Sequence, residues 1–350
     1  MSLGDGITLI TGGAGFIGTN VAARVLDAGG RVRILDNLAR SGVGDNIRWL
    51  VDTYGDERID VDESGVLDES AVRRAVRDAD RVFHFAAQVA VTTSLTDPFG
   101  DFRTNAEGTL ALLEELRALA DPPPLLFTST NKVYGHLADV GLVQVDGRHV
   151  PQDPEVRARG IGESRSISFC SPYGCSKGAA DQYVLDYAAS FGLPTVVFRM
   201  SCIYGPHQWG NEDQGWLAHF LLQAMRGEPI TIFGDGRQVR DALFVDDLLD
   251  AMQLAVDDAE RLRGSAFNIG GGPANVLSLL DLLELIADLE GVRPCVRHDE
   301  WRVADQRWYV SDVSAFTAAT GWRPQVEAPD GVARLHRWLR DARAAIAEAV

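Results

Sequence analysis

The sequence predicts an α/β fold: a doubly wound parallel sheet with helices on both faces, joined to a smaller mixed C-terminal portion. Three observations carry that expectation. An apolar run at 7–10 leads into a glycine-spaced turn and an apolar-periodic helix. Short strand-like runs then alternate with helix-like stretches along most of the chain. The 350 residues, 46% hydrophobic and 24% charged, are enough for one large or two medium cores.

The first strand runs into Gly12-Gly13-Ala14-Gly15-Phe16-Ile17-Gly18, after which Val21, Val25 and Leu26 set a helical period. Glycines at 12, 15 and 18 permit a tight turn, close approach of backbone to a pyrophosphate, and close packing of helix on strand. The helix start offers free N–H groups to the phosphates. The second strand, 32–35, ends at Asp36. An acid there accepts hydrogen bonds from an adenosine ribose and repels a 2′-phosphate, so the expected cofactor is NAD rather than NADP.

A strand at 58–61, a helix at 69–79 and a strand at 81–85 follow, the last ending in Ala86-Ala87-Gln88. Further strands are expected at 124–127, 195–199 and 267–269, and a packing helix at 330–350. A doubly wound sheet binds its ligand at the strand C-terminal ends. Those ends are Gly12, Asp36, Ala86-Ala87-Gln88, Thr128-Ser129-Thr130 and Met200-Ser201-Cys202, small or polar residues suited to a cofactor cleft. The stretches 135–171 and 204–215, rich in glycine and charge, read as loops that face a substrate.

Composition excludes several classes of function. A formal net charge of −17 repels a phosphate backbone, so nucleic acid is not an expected partner. No run approaches the ~20 apolar residues that span a bilayer. The N-terminus lacks a basic segment followed by an apolar core, which points to a cytoplasmic protein. Cys170, Cys175, Cys202 and Cys295 show no C-x-x-C pair and no zinc spacing, so free thiols and no metal are expected. His84, at a strand end, reads as a core histidine.

The chemistry centres on Ser171-Pro172-Tyr173-Gly174-Cys175-Ser176-Lys177, which puts a phenol and an ammonium one helical turn apart where a helix begins. A phenol titrates near ~10, so it serves as a base at neutral pH only if a cation stabilises its phenolate. Lys177 stands where it can do so. Taken alone, the pair reads more readily as an exposed Tyr and Lys on a helix surface.

TGGAGFIG at 11–18, Asp36, the hydroxyls before Val133-Tyr134-Gly135, YGCSK at 173–177 and GDGRQVRD at 234–241 together resemble the extended short-chain dehydrogenase/reductase family across nearly the whole chain. TSTNKVYG at 128–135, the stretch 171–199, DQGW at 213–216 and AFNIGG at 266–271 are most similar to its nucleotide-sugar epimerase branch, in enzymes that invert carbon 2 of a nucleotide-linked deoxyhexose. The resemblance implies a Rossmann domain of residues 1–199 and 237–269 and a nucleotide-sugar-binding domain of residues 200–236 and 270–350.

It also implies roles. Thr130, Tyr173 and Lys177 are the expected catalytic set: Tyr173 takes a sugar hydroxyl proton, Thr130 shares that oxygen, and Lys177 holds the phenol pKa down. The expected NAD contacts are Gly12, Gly15, Phe16, Ile17, Gly18, Asp36, Asn37, Ala86, Ala87, Gln88, Asn105 and Met200, with Tyr173 and Lys177. Asn131, Cys202, Arg240 and Arg307 are the expected contacts to a nucleotide-diphosphate sugar, the two arginines at the diphosphate. Relatives that eliminate water carry Asp-Glu after the threonine, and here stand Asn131 and Lys132, neither able to do that acid-base work. A 4-epimerase, a simple dehydrogenase and a non-catalytic dinucleotide sensor remain as alternatives. A homodimer is expected, through the helix that begins near 172 and one over 105–120, with Ala179, Ala180, Tyr183, Tyr187 and Ala188 on the contact face.

Overall fold

The computed structural model describes residues 3–348. The first two residues of the N-terminus and the last two of the expected C-terminal helix lie outside them. By its contacts the chain divides into two compact units: Met1–Val133 with Phe169–Arg199 and Leu249–Phe267, and Tyr134–Ser168 with Met200–Leu248 and Asn268–Val350.

The first unit is built on a seven-stranded sheet. In sheet order its strands are Ser265–Ile269, Thr195–Met200, Leu125–Thr130, Arg81–His84, Ile7–Thr11, Arg31–Leu35 and Ile59–Asp62. All seven begin within two residues of where the apolar runs predict them, and Leu125–Thr130 runs three residues further than expected. The central strands are rich in β-branched and aromatic residues and buried on both faces, as a parallel sheet covered by helices requires. Ile7–Thr11 pairs in parallel with Arg31–Leu35 on one side and with Arg81–His84 on the other. Winding reverses at that strand, which makes the C-terminal ends of Ile7–Thr11 and Arg81–His84 the switch point where ligands bind.

Glycine is required here for two different reasons. Gly12 has φ +70°, and a Cβ on it would lie 2.6 Å from the Ala86 nitrogen of the neighbouring strand end. A Cβ on Gly18 would lie 2.5 Å from the Gly12 carbonyl oxygen, so only glycine lets the helix Phe16–Asp27 sit down on its own loop. Leu9, Val82, Leu112, Leu113, Phe127 and Val184 fill the core between sheet and helices. Truncating one of these leucines to alanine costs about 2–5 kcal/mol.

The helix expected at 105–120 begins earlier and is not uniform. A short helix Pro98–Phe102 runs into a π segment Arg103–Glu107 and then the α-helix Gly108–Arg117. Beside it lies the long helix Ser171–Phe191.

The second unit is mixed. Its central strand Val239–Phe244 pairs antiparallel with Val276–Ser278 and in parallel with Trp308–Tyr309 and Cys202–Tyr204. Ile230–Phe233 pairs with Val296–Asp299. The stretch 135–171 departs from the loop expected there. It contains the hairpin Leu142–Val145 with Arg148–Pro151, which turns at Asp146-Gly147 with both φ values positive, and a helix Pro154–Arg159. Its residues 135–168 belong to this unit and not to the sheet unit: His149 N bonds Arg237 O at 3.0 Å and Ile161 N bonds Val310 O at 2.7 Å. Residues 237–248 fall here too, since they supply the central strand. Beyond Tyr204, where the strand Cys202–Tyr204 ends, the stretch to 215 contains no helix and only the isolated bridge between Asn211 and Gln214, close to the loop expected there. All four cysteines are free. Among the described residues no His, Cys, Asp and Glu cluster could hold a metal, and no helix is long and apolar enough to cross a membrane.

Candidate active site

The strand Leu125–Thr130 ends in three hydroxyl residues and passes directly into a 3-10 turn, Asn131–Tyr134. That turn folds back so that Lys132 N donates to Thr130 Oγ at 3.2 Å. The helix Ser171–Phe191 opens with Pro172 in its first turn, where the missing N–H costs nothing. Its 3.6-residue period turns Tyr173, Lys177, Ala180, Asp181 and Val184 inward. Thr130, Tyr173 and Lys177 are 7, 9 and 3% exposed, and the Tyr173 phenol is hydrogen-bonded to Thr130. Lys177 Nζ lies 4.1 Å from the centroid of the Phe127 ring.

The electrostatics differ from expectation in one respect. Burial pushes the Tyr173 phenol up to about 12; the Thr130 hydrogen bond opposes that rise and the Asp101 charge adds to it. Burial also pulls Lys177 down to about 7, against the charges of Asp181 and Asp101. In the protein by itself desolvation of the phenol therefore outweighs any lowering by Lys177, because both groups share one dry site.

The cofactor side is built from backbone. Gly15, the N-cap of Phe16–Asp27, is extended, gives no side-chain cap, and no acid sits in the first turn, so the helix N–H groups are left for a phosphate. Asp36 Oδ2 accepts from Ala14 N and Oδ1 from Leu38 N, both at 3.0 Å, which ties the glycine loop to the strand end. Burial raises its pKa, although those two bonds and the Arg40 charge work the other way. Phe16, Ile17, Ala86, Ala87 and Met200 are half-buried, and Asn37 Oδ1 accepts from Ala39 N. The uncapped amide end, the strand-end acid and the Tyr173 and Lys177 pair fit NAD.

Asn105 is fully buried, and its polar atoms are engaged by the protein. Oδ1 accepts Gln88 N at 2.8 Å, while Nδ2 donates to Gln88 O and to Ser176 Oγ, both at 2.9 Å. It thus holds the Gln88 strand end against the Tyr173 helix. His84 is fully buried between Thr11 and Thr109, with contacts of 2.6 and 2.9 Å. Thr109 spends its proton on Asn105 O, so it accepts from His84 Nε2–H, and Nδ1 accepts from Thr11. Burial, with the Lys177 charge, pushes the imidazole down to about 3, so it is neutral, as a core histidine should be.

The remaining expected residues vary in how free they are. Asn131, 8% exposed, borders Thr130 in the sheet unit. In the second unit Cys202 Sγ accepts from Trp216 Nε1 at 3.4 Å. Arg240 is committed within that unit: it donates to Asp305 Oδ1 at 2.6 Å and to the carbonyls of Gln306 and Val239. Arg307 is exposed, its guanidinium 5.1 Å from the Trp301 ring centroid, and its carbonyl accepts Val239 N, which sets it beside Arg240.

Sequence reading missed Asp101 and Ser176, which bind each other at 2.5 Å behind the Tyr173 helix. Their signal was faint: Asp101 precedes Asn105 by four residues, and Ser176 adjoins Lys177.

The model of the NAD dependent epimerase/dehydratase family matches residues 8–270. A CDP-paratose 2-epimerase of Salmonella typhi is 41% identical over 94% of the chain and 98% of its own length. A dTDP-glucose 4,6-dehydratase of Shigella flexneri is 30% identical over 94% of the chain and 91% of its own. The structure of a Thermus thermophilus UDP-glucose 4-epimerase in complex with NAD superposes with a TM-score of 0.80 at 30% identity, covering 96% of this chain and 99% of that one.

Proposed function

The chain belongs to the NAD dependent epimerase/dehydratase family, and we infer that it is an NAD-dependent nucleotide-sugar epimerase acting at carbon 2 of a nucleotide-linked hexose or deoxyhexose. The observation that carries the choice of carbon is the 41% identity, over nearly all of both chains, to a 2-epimerase. Bound NAD supplies a hydride acceptor that returns the hydride, so no net oxidation occurs.

The chain's own residues do the rest. Tyr173, as phenolate, takes the proton of the C2 hydroxyl and gives it back after the keto sugar has turned its other face. Thr130, bonded to that phenol, shares the same sugar oxygen. Lys177 contributes positive charge beneath the site. Asn131 and Lys132 supply no carboxyl pair, which argues against the elimination performed by the dehydratase relative.

Arg307, exposed beside Arg240, is the better placed of the two to meet a diphosphate. Arg240 reaches one only if it gives up part of its Asp305 contact. A 4-epimerase remains the second reading, favoured by the likeness to the Thermus thermophilus structure. The fate of deuterium placed at C2 separates the two.

We also propose a cytoplasmic homodimer. Of the contact face expected on Ser171–Phe191, Ala180, Tyr187 and Ala188 belong to the protein's own core instead, and Tyr187 bonds Glu114. The outward residues are Tyr183, 44% exposed, and Phe191; across on the neighbouring helices stand Leu95, Phe99, 81% exposed, and Phe102. An apolar patch of that kind supports burial against a second copy.

A further inference from the structure

Asp101 lies in the short helix Pro98–Phe102 and is 1% exposed. A carboxylate buried so fully needs compensation. It comes from neutral donors alone: Oδ2 accepts the Ser176 hydroxyl at 2.5 Å, and Oδ1 accepts Gln88 Nε2 at 3.0 Å and Asn105 Nδ2 at 3.2 Å. The π segment Arg103–Glu107, whose widened turn carries Asn105, sets that amide beside the carboxylate. Among the described residues no ion pair neutralises Asp101, and the nearby Asp97 adds further negative charge.

The groups around Lys177 show what that charge faces. On Lys177's own helix Asp181, one turn on, is the carboxylate that reaches it, but it commits both oxygens to Arg199 at 2.9 Å. The Phe127 ring lies 4.1 Å from Nζ, the neutral His84 is close enough to feel the ammonium's charge, and Tyr173 stands one helical turn away. Burial depresses Lys177, and Asp181 and then Asp101 oppose it. The chain uses lysine at only two positions, Lys132 and Lys177, and arginine everywhere else a permanent cation stands. A compact, titratable ammonium at Lys177 keeps its proton only if a negative charge stays close.

We propose that Asp101 is a positioning residue for the hydride-transfer site: through Ser176 it fixes the helical turn that carries Tyr173 and Lys177, and it is a buried counter-charge of Lys177 that, among the described residues, pairs with no other cation. The kinetic consequence rests on the epimerase reading; the charge relation does not.

The test needs no substrate in its first arm. In protein labelled with 13C-lysine and carrying Lys132→Arg, one signal remains, and its pH titration reports Lys177. Asp101→Asn keeps the shape and deletes the charge; the Lys177 titration should move about 1 pH unit lower. Ser176→Ala removes the hydrogen bond and keeps the charge, so it should leave the titration in place. In turnover, Asp101→Asn should lose roughly 10-fold or more in kcat with KM little changed, and its activity should fall off at lower pH than wild type. A Lys177 titration unmoved by Asp101→Asn overturns the proposal.

If Asp101→Asn fails to fold, Asp101→Glu decides. It should retain the Lys177 titration while losing kcat through the displaced Ser176, and a titration that collapses despite the retained charge overturns the counter-charge role. The expected titrations in a protein that turns over no nucleotide sugar would sink the epimerase reading and leave the Asp101 to Lys177 relation standing.

Discussion

The Tyr173 phenol is hydrogen-bonded to Thr130, joining the first turn of the helix Ser171–Phe191 to the end of the strand Leu125–Thr130. Removing only the hydroxyl tests what the bond is for. Tyr173→Phe should lose turnover by ~10²-fold or more while nucleotide-sugar binding, measured calorimetrically, stays close to wild type. Near-normal turnover would mean that another group moves the proton.

Asp36 makes a second prediction. Its carboxylate already anchors Ala14 and Leu38, so Asp36→Ala should both loosen the glycine loop and delete the ribose acceptor. NAD affinity should fall roughly 10- to 100-fold, the range of one or two hydrogen bonds to a charged group. Wild type that binds NADP more tightly than NAD would contradict the assignment of the acid.

Why some of this was legible and some not is visible in single residues. Gly12, Gly18, Asp36, Thr130 and Tyr173 sit where local rules hold: a turn that needs positive φ, a helix that needs no Cβ, strand ends that face a ligand. The central strands were readable because buried parallel strands are largely apolar runs, whereas the edge strand Ile59–Asp62 alternates with acids. Asp101 and Ser176 were not, because their significance arises from a contact between two helices far apart in sequence. The face of Ser171–Phe191 was misread for a related reason. Ala180, Tyr187 and Ala188 look like a docking stripe until the fold buries them in the chain's own interior. Nothing local announced the π segment at Arg103–Glu107 either, since its gain is the tertiary contact of Asn105.

His84 gives a pH dependence of stability. It is neutral in the folded protein down to about 3, whereas in the unfolded chain it takes a proton near 6.5. Between those values the unfolded state binds more protons, so stability is fully present above about 6.5 and falls as the pH drops through the window, by up to about 1.4 kcal/mol per pH unit. His84→Gln should be less stable than wild type at pH 7.5, and the difference should narrow by pH 5 in urea titrations. Parallel losses for the two proteins would rule this group out.

The exposed Phe99, Phe102 and Tyr183 predict a dimer at micromolar concentration in sedimentation velocity. Phe99→Glu should shift it toward monomer with little change in melting temperature, because the side chain is 81% exposed in its own chain. A wild-type monomer would leave the patch without its proposed occupant.

The carbon that reacts is the sharpest question, and the label answers it. Oxidation at C2 requires that carbon to stand where Tyr173 can take its hydroxyl proton, with the transferred hydride leaving from the same carbon. Given a nucleotide-linked deoxyhexose deuterated at C2, the enzyme should yield product inverted at C2 that keeps its deuterium in ordinary water, because the hydride is held and returned within the site. Free NAD should not be consumed, whereas a dehydrogenase would reduce it stoichiometrically. Deuterium lost to solvent would point to removal of the C2 hydrogen as a proton. Retention at C2 with inversion at C4 would keep Thr130, Tyr173 and Lys177 in their roles and move the reaction to the other carbon.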